Sequence, residues 1–160
     1  MKSYQLTFNQ KIPLPLSETW DFFASPANLA KITPTEMSFE VTSDPRHLQE
    51  MYPGMIITYK VSPVLGIKLD WMTEITQMVS EKYFIDEQRS GPYKFWHHQH
   101  HFKEIEGGTE MDDILTYGLP FGVLGRIGNS VFVADKLQEI FEYRKQKVND
   151  LFGVYPGTGK

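Results

Sequence analysis

The sequence predicts an α+β domain: seven strands joined largely by tight turns, two short helices after the first strand, and one long helix near the C-terminal end. Three observations predict it. Apolar and polar residues alternate through long stretches of the 160-residue chain, turn dipeptides punctuate those stretches, and the last quarter changes to a spacing of three and four. No shift in composition divides the chain, so residues 1–153 are expected to form a single domain and 154–160 a flexible tail.

The elements follow in order. Tyr4, Leu6 and Phe8 alternate with Ser3, Gln5, Thr7 and Asn9, the pattern of a half-buried strand. After Pro13 and Pro15, Ser17 is placed to cap a short helix over residues 18–24, with Trp20 and Phe23 facing inward and Glu18 near the positive end. Ser25 followed by Pro26 opens a second short helix, closed before Thr33-Pro34. Strands are then expected at about 37–43, 55–62, 67–80, 82–90, 93–105 and 109–119. Asp44-Pro45, Pro53-Gly54, residues 63–66, Gly91-Pro92 and Gly107-Gly108 supply the turns between them. Finally, Leu124, Ile127, Val131, Ala134, Leu137, Phe141, Val148 and Phe152 form the stripe of a helix from about Leu124 to Phe152, stopped by Gly153.

Composition narrows the class of function. Sixteen Lys and Arg stand against 20 Asp and Glu, a balance without the basic footprint of a protein that binds nucleic acid or an anionic membrane. There is no cysteine, which removes disulfides, thiolate nucleophiles and cysteine zinc sites together. The first residues lack the apolar core of a signal peptide, and no run approaches the roughly 18–20 apolar residues that span a bilayer. A soluble cytoplasmic protein without integral membrane association is expected.

Chemistry concentrates in the segment Phe95-Trp96-His97-His98-Gln99-His100-His101-Phe102, which holds four of the five histidines. On a strand, Trp96, His98, His100 and Phe102 share one face, and Phe95, His97, Gln99 and His101 the other. Polar groups on the same side as large aromatics point to a cavity with hydrogen-bonding walls. Met111, Asp113, Leu115 and Tyr117 share the inner side of the next strand. The Gly107-Gly108 turn pairs that strand with the histidine strand and brings Asp113 within reach of His98 or His100. If the Phe84 side also faces inward, Asp86 and Gln88 join them. Tyr59, Trp71, Trp96 and Tyr117 would add aromatic walls.

Three chemistries fit such a group: a polar lining for a ligand, a self-satisfied buried network, or two imidazoles and a carboxylate around a metal. His98-x-His100 superficially resembles the first metal motif of cupins. The spacing from Gly91 is one residue too long for that register, however, and no histidine follows His101. No metal and no cofactor is therefore expected. Gly122, Gly125 and Gly128 lack the setting of a phosphate loop, and no serine sits in a nucleophile elbow. His47 has no role on this reading.

Several segments resemble the START-like, or SRPBCC, superfamily with its helix-grip fold: Trp20-Asp21-Phe22-Phe23 with Pro26, Asn28 and Leu29; Met51-Tyr52-Pro53-Gly54; Asp86-Glu87-Gln88 with Gly91-Pro92-Tyr93; Trp96-His97-His98; and residues 117–122. Together they are similar to a bacterial ligand-binding branch related to polyketide cyclase-like and cell-division inhibitor-like proteins. That resemblance implies a curved sheet wrapped around the terminal helix, with a cavity between them. It selects Tyr59, Trp71, Asp86, Gln88, Trp96, His98, His100, Asp113 and Tyr117 as pocket residues, with Phe121 and Leu124 near the mouth. The expected function is binding of a small, mostly hydrophobic molecule, such as a lipid, an aromatic metabolite or a polyketide-like compound. The alternative is a cyclase, dehydratase or hydrolase in which His98 or His100 acts as base, Asp113 orients it and Tyr117 donates to an oxyanion.

Overall fold

A computed structural model describes residues 2–48, 50–62, 67–120 and 132–157. Seven strands form one antiparallel sheet: β1 (Tyr4–Ile12), β2 (Glu40–Val41), β3 (Ile56–Val61), β4 (Leu69–Val79), β5 (Tyr83–Ser90), β6 (Phe95–Ile105) and β7 (Gly108–Gly118). Their order across the sheet is β1-β7-β6-β5-β4-β3-β2, so the first strand returns to pair with the last. Helices α1 (Leu16–Phe23) and α2 (Pro26–Leu29) follow β1, and α3 (Ala134–Phe152) closes the chain. This is the α+β order of elements that the residue patterns predict, in the helix-grip arrangement that the resemblance implies.

Local chemistry explains where elements begin and end. Gly107 turns β6 into β7 at φ +74°, and at Gly108 a side chain would run into the carbonyl of Ile12 on the neighbouring strand. Two register shifts against β5, between Met72 and Thr73 and between Ile75 and Gln77, interrupt the ladder of β4. Such irregularities bend a strand and raise its twist. At the end of α3, Gly153 takes φ +90° and its N–H donates to the Asn149 carbonyl at 2.8 Å.

Alternation places the core as expected on most strands. Ile57 and Val61 on β3, Trp71, Thr73 and Ile75 on β4, and His98, His100 and Phe102 on β6 are buried. From α3 the stripe Leu137, Phe141 and Val148 is buried, each side chain worth about 1.5–3 kcal/mol when removed from water. Phe141 stacks on Phe8 of β1 with ring centroids 3.9 Å apart, and Gln10 donates to the Lys145 carbonyl and to Asn149 Oδ1, both at 3.0 Å. Trp20 of α1 meets Phe84 and Phe102 edge-on, seating the short helices over one end of the sheet.

Two boundaries differ from expectation. The strand expected at 37–43 shrinks to Glu40–Val41, because residues 35–37 coil into a single helical turn and Ser38 takes the left-handed φ of 45°. Ser17 does not cap α1. It lies inside the first turn, while Pro15 holds the cap position and its carbonyl accepts from Thr19 N at 3.0 Å. The part of the long helix expected before residue 132 lies outside the described residues, as do Phe121 and Leu124.

Candidate functional site

Between the inner face of the sheet, α1, α2 and α3 lies a cavity of about 130 Å³. Its apolar walls include Phe22 and Phe23 of α1, Leu29 of α2, Ile57 of β3, Ile75 of β4 and Phe84 of β5. Polar groups enter from the sheet through Tyr59, Thr73, Asp86, His98 and His100, and from α3 through Arg144. A second compartment of about 100 Å³ shares Leu29, Phe39, Tyr59, Trp96, His98 and Arg144 with the first and adds Trp71, Tyr93 and Leu137. For scale, a dry cavity of roughly 150 Å³ accepts a benzene ring.

Strand register assembles the charged group on the sheet wall. Asp86 of β5 stands opposite His98, and Asp113 of β7 opposite His100, so two imidazoles lie between two carboxylates. The rings themselves sit 3.9 Å apart, centroid to centroid. His100 Nε2 bonds Asp86 Oδ2 at 3.0 Å, and His98 Nδ1 lies 3.4 Å from the same oxygen. On the far side, Asp113 Oδ1 lies 2.6 Å from His100 Nδ1 and 3.1 Å from His98 Nε2. These last approaches lack hydrogen-bond alignment, so Asp113 holds the rings by charge rather than by a directed bond.

Every ring nitrogen of the pair therefore faces a carboxylate oxygen. An ionised carboxylate only accepts, so in the one aligned bond the His100 Nε2–H donates to Asp86 Oδ2. For His98, burial by itself would lower the pKa. The close carboxylates of Asp113 and Asp86 override it and raise the value above that of a free imidazole. For Asp86, burial would raise the pKa, but the bonds to His100 and His98 bring it well below the usual carboxylate range. Asp113 is lowered likewise against its own burial, by the close approach of His100 and then of His98. Chemically, this is a compact set of two carboxylates and two imidazoles in which each ring nitrogen faces a carboxylate oxygen. Donor atoms of Asp86, His98 and His100 also lie within 4.8 Å of one another, so these three are the residues that could hold a metal ion.

The rest of the polar wall on the sheet is neutral. Trp71 Nε1 donates to Thr73 Oγ1 at 3.0 Å, and the Tyr59 hydroxyl meets the same oxygen at 2.9 Å. Burial, reinforced by the negative Asp86, pushes the Tyr59 phenol well up, so it stays a protonated donor or acceptor at neutral pH.

The eleven residues selected from the sequence divide accordingly. Tyr59, Asp86, Trp96, His98 and His100 line the main cavity, and Trp71 lines the second compartment. Asp113 lies behind the imidazoles and borders a polar groove of about 220 Å³ between β1 and α3. Tyr117 is buried in the packing of β7, stacked on Tyr4 and edge-on to Tyr93. Gln88 clamps the turn before β6, donating to the Tyr93 carbonyl at 2.6 Å and accepting from Tyr93 N at 3.1 Å. Phe121 and Leu124 lie outside the described residues. Sequence reasoning missed Arg144, which lines both compartments and the outer groove. Its signal was present: the apolar stripe skips from Phe141 to Val148, and Arg144 occupies the helical position between them.

An antiparallel sheet packed on a terminal helix, with a cavity between them, defines the helix-grip fold. Solved structures agree at the level of fold. CV1439 of Chromobacterium violaceum superposes with a TM-score of 0.71 at 9% identity, covering 94% of this chain and 98% of its own. Ginseng major latex-like protein 151 of Panax ginseng gives 0.67 at 13% identity, covering 94% and 97%. Ms6760 of Mycobacterium smegmatis gives 0.66 at 18% identity, covering 92% and 89%. No family profile and no curated protein matches the sequence itself. Among the described residues no helix is long and apolar enough to cross a membrane.

Proposed function

We propose that this chain binds a small, mostly hydrophobic molecule in the cavity between the sheet and α3, as a member of the bacterial ligand-binding SRPBCC branch. One observation carries the reading: an apolar-walled space of about 130 Å³, continuous in its lining with a second of about 100 Å³, inside a fold of only 160 residues. Native cores rarely leave room beyond that of a water molecule, because each unfilled space forfeits contact energy. Ligand pockets share this composition, with apolar and aromatic walls and a few convergent polar groups that set orientation. Burial of the ligand supplies affinity at about 25 cal/mol per Å² of apolar surface.

The ligand-contacting residues on this proposal are Tyr59, Trp71, Trp96, Asp86, His98 and His100. A neutral amphiphile of one ring and a short chain, 4-phenylbutanol, tests it by calorimetry and by quenching of Trp71 and Trp96 fluorescence. The expected result is saturable one-to-one binding to the native chain. Val41→Trp, which fills the main cavity from its edge-strand wall, abolishes that binding while the circular dichroism spectrum is kept. Absence of saturable binding, or equal binding to a folded Val41→Trp variant, overturns the proposal.

A further inference from the structure

We infer that the natural ligand is an anion: an amphipathic carboxylate whose apolar body fills the cavity and whose carboxylate pairs with the guanidinium of Arg144 beside the Tyr59 hydroxyl. This rests on the cavity reading above and names its ligand class.

The argument begins on α3. Leu137, Phe141, Arg144 and Val148 follow one another at steps of four, three and four, so Arg144 stands on the stripe that faces the sheet. A cation at such a position costs desolvation energy that a leucine would not, and proteins normally meet the cost with a carboxylate. Here none is supplied. Among the described residues Arg144 makes no hydrogen bond and no ion pair, and its Nε is buried without a partner. Its one close companion is the ring of Phe141, whose centroid lies 5.0 Å from Cζ and supports the guanidinium from below.

The neighbouring acids are already committed. Asp86 and Asp113 face His98 and His100, and Glu142, which borders the same outer groove as Arg144, accepts from Gln138 at 2.9 Å. Arg144 thus brings to the cavity a positive charge with no bonded partner, and that charge draws the Tyr59 phenol down against the larger upward push of burial and of the negative Asp86. Arg144 and Tyr59 line both compartments together, which places a cation and a hydroxyl at the same polar edge of an otherwise apolar volume. A carboxylate matches that edge. The guanidinium fork takes its two oxygens in a planar bidentate pair, and the phenol adds a third donor. The His–Asp group is the weaker match, since two carboxylates already stand against its imidazoles and repel a third.

Titration of 4-phenylbutyrate against 4-phenylbutanol at neutral pH tests the inference, because the two share an apolar body and differ in the charged head. In the native chain the acid is expected to bind about 10- to 100-fold more tightly than the alcohol, the usual worth of a charge-assisted pair taken out of water. Arg144→Gln removes that advantage, and Arg144→Lys restores part of it. A second reading needs no variant: addition of the acid, but not of the alcohol, shifts the Arg144 Nε–H resonance downfield as the donor gains its acceptor. An acid that binds no more tightly than the alcohol, or an advantage that survives Arg144→Gln, overturns the inference while leaving the cavity reading intact. Failure of both compounds to bind overturns the two together.

Discussion

Two regions of the cavity wall hold charge in opposite ways. On the sheet, Asp86, His98, His100 and Asp113 surround one another, and the pKa values of both carboxylates and of His98 move in the directions that deepen their mutual attraction. On the helix, Arg144 enters the same space with an aromatic ring beneath it and no acid beside it. The first arrangement supplies its own counter-charges and ties three strands together, with His98 Nε2, His100 Nδ1 and Asp113 Oδ1 held by charge alone. The second is incomplete. The difference teaches that a cluster of titratable residues in a cavity is not by itself the recognition element; the charge left without an ion-pair partner is the better candidate.

Removing one member of the His–Asp set breaks the comparison most severely. Asp113→Asn leaves two imidazoles with a single carboxylate in a buried setting, and loss of one partner of a buried ion pair typically costs about 3–5 kcal/mol. Chemical denaturation is expected to show a loss of that order, with the transition still cooperative. A loss below about 1 kcal/mol would mean that the unaligned contacts of Asp113 at 2.6 and 3.1 Å hold little.

The pH dependence sharpens the same point. Folded-state pKa values of Asp86 and Asp113 are depressed, so their contribution is present above the unfolded value of about 3.9 and is lost as pH falls through the folded values. That of His98 is raised, so its contribution is full below about 6.5 and is lost as pH rises through the folded value. The thermal midpoint is therefore expected to be highest between about pH 4 and 6.5 and to decline on both sides. His98→Gln flattens the alkaline arm, whose slope is at most about 1.4 kcal/mol per pH unit for one proton, and leaves an acid arm in place. An alkaline arm of unchanged slope in that variant would detach His98 from the two aspartates.

How much of this was legible in the sequence depends on which physical rule each residue obeys. A period of two puts His98 and His100 on one face regardless of anything distant, and the Gly107-Gly108 turn fixes the register that sets Asp113 opposite His100. Asp86 was conditional, because Phe84 and Ile85 are both buried and polarity does not reveal which parity of β5 faces in. Parity also names a face without saying which stretch of it the helix covers. Asp113 and Tyr117 therefore share the inner side of β7 with Leu115, yet neither lines the main cavity. Gln88 was lost for a different reason: its amide answers to the backbone of Tyr93, five residues on, which no face pattern encodes. The strand expected over residues 37–43 failed at Ser38, whose left-handed backbone is a tertiary outcome rather than a propensity. Arg144 stood in plain view as the polar interruption of an apolar stripe, and a long cation on a helix invites placement on the wet face.

The smallest expected effect separates the two regions by sign. If Arg144 serves a ligand rather than the fold, the empty chain carries the desolvation cost of its guanidinium without return, and Arg144→Met replaces it with a flexible apolar side chain of similar length. The variant is expected to gain about 0.5–2 kcal/mol, as substitutions that relieve a functional site of its strain commonly do. Differential scanning calorimetry reads this as a rise in the midpoint, in contrast to the fall expected for Asp113→Asn. Adding 4-phenylbutyrate should reverse the ranking, since a ligand that binds only the native chain's guanidinium stabilises it by mass action and leaves Arg144→Met behind. A variant less stable than the native chain without ligand would assign Arg144 to the packing of α3, and the contrast between the two walls would then be one of degree.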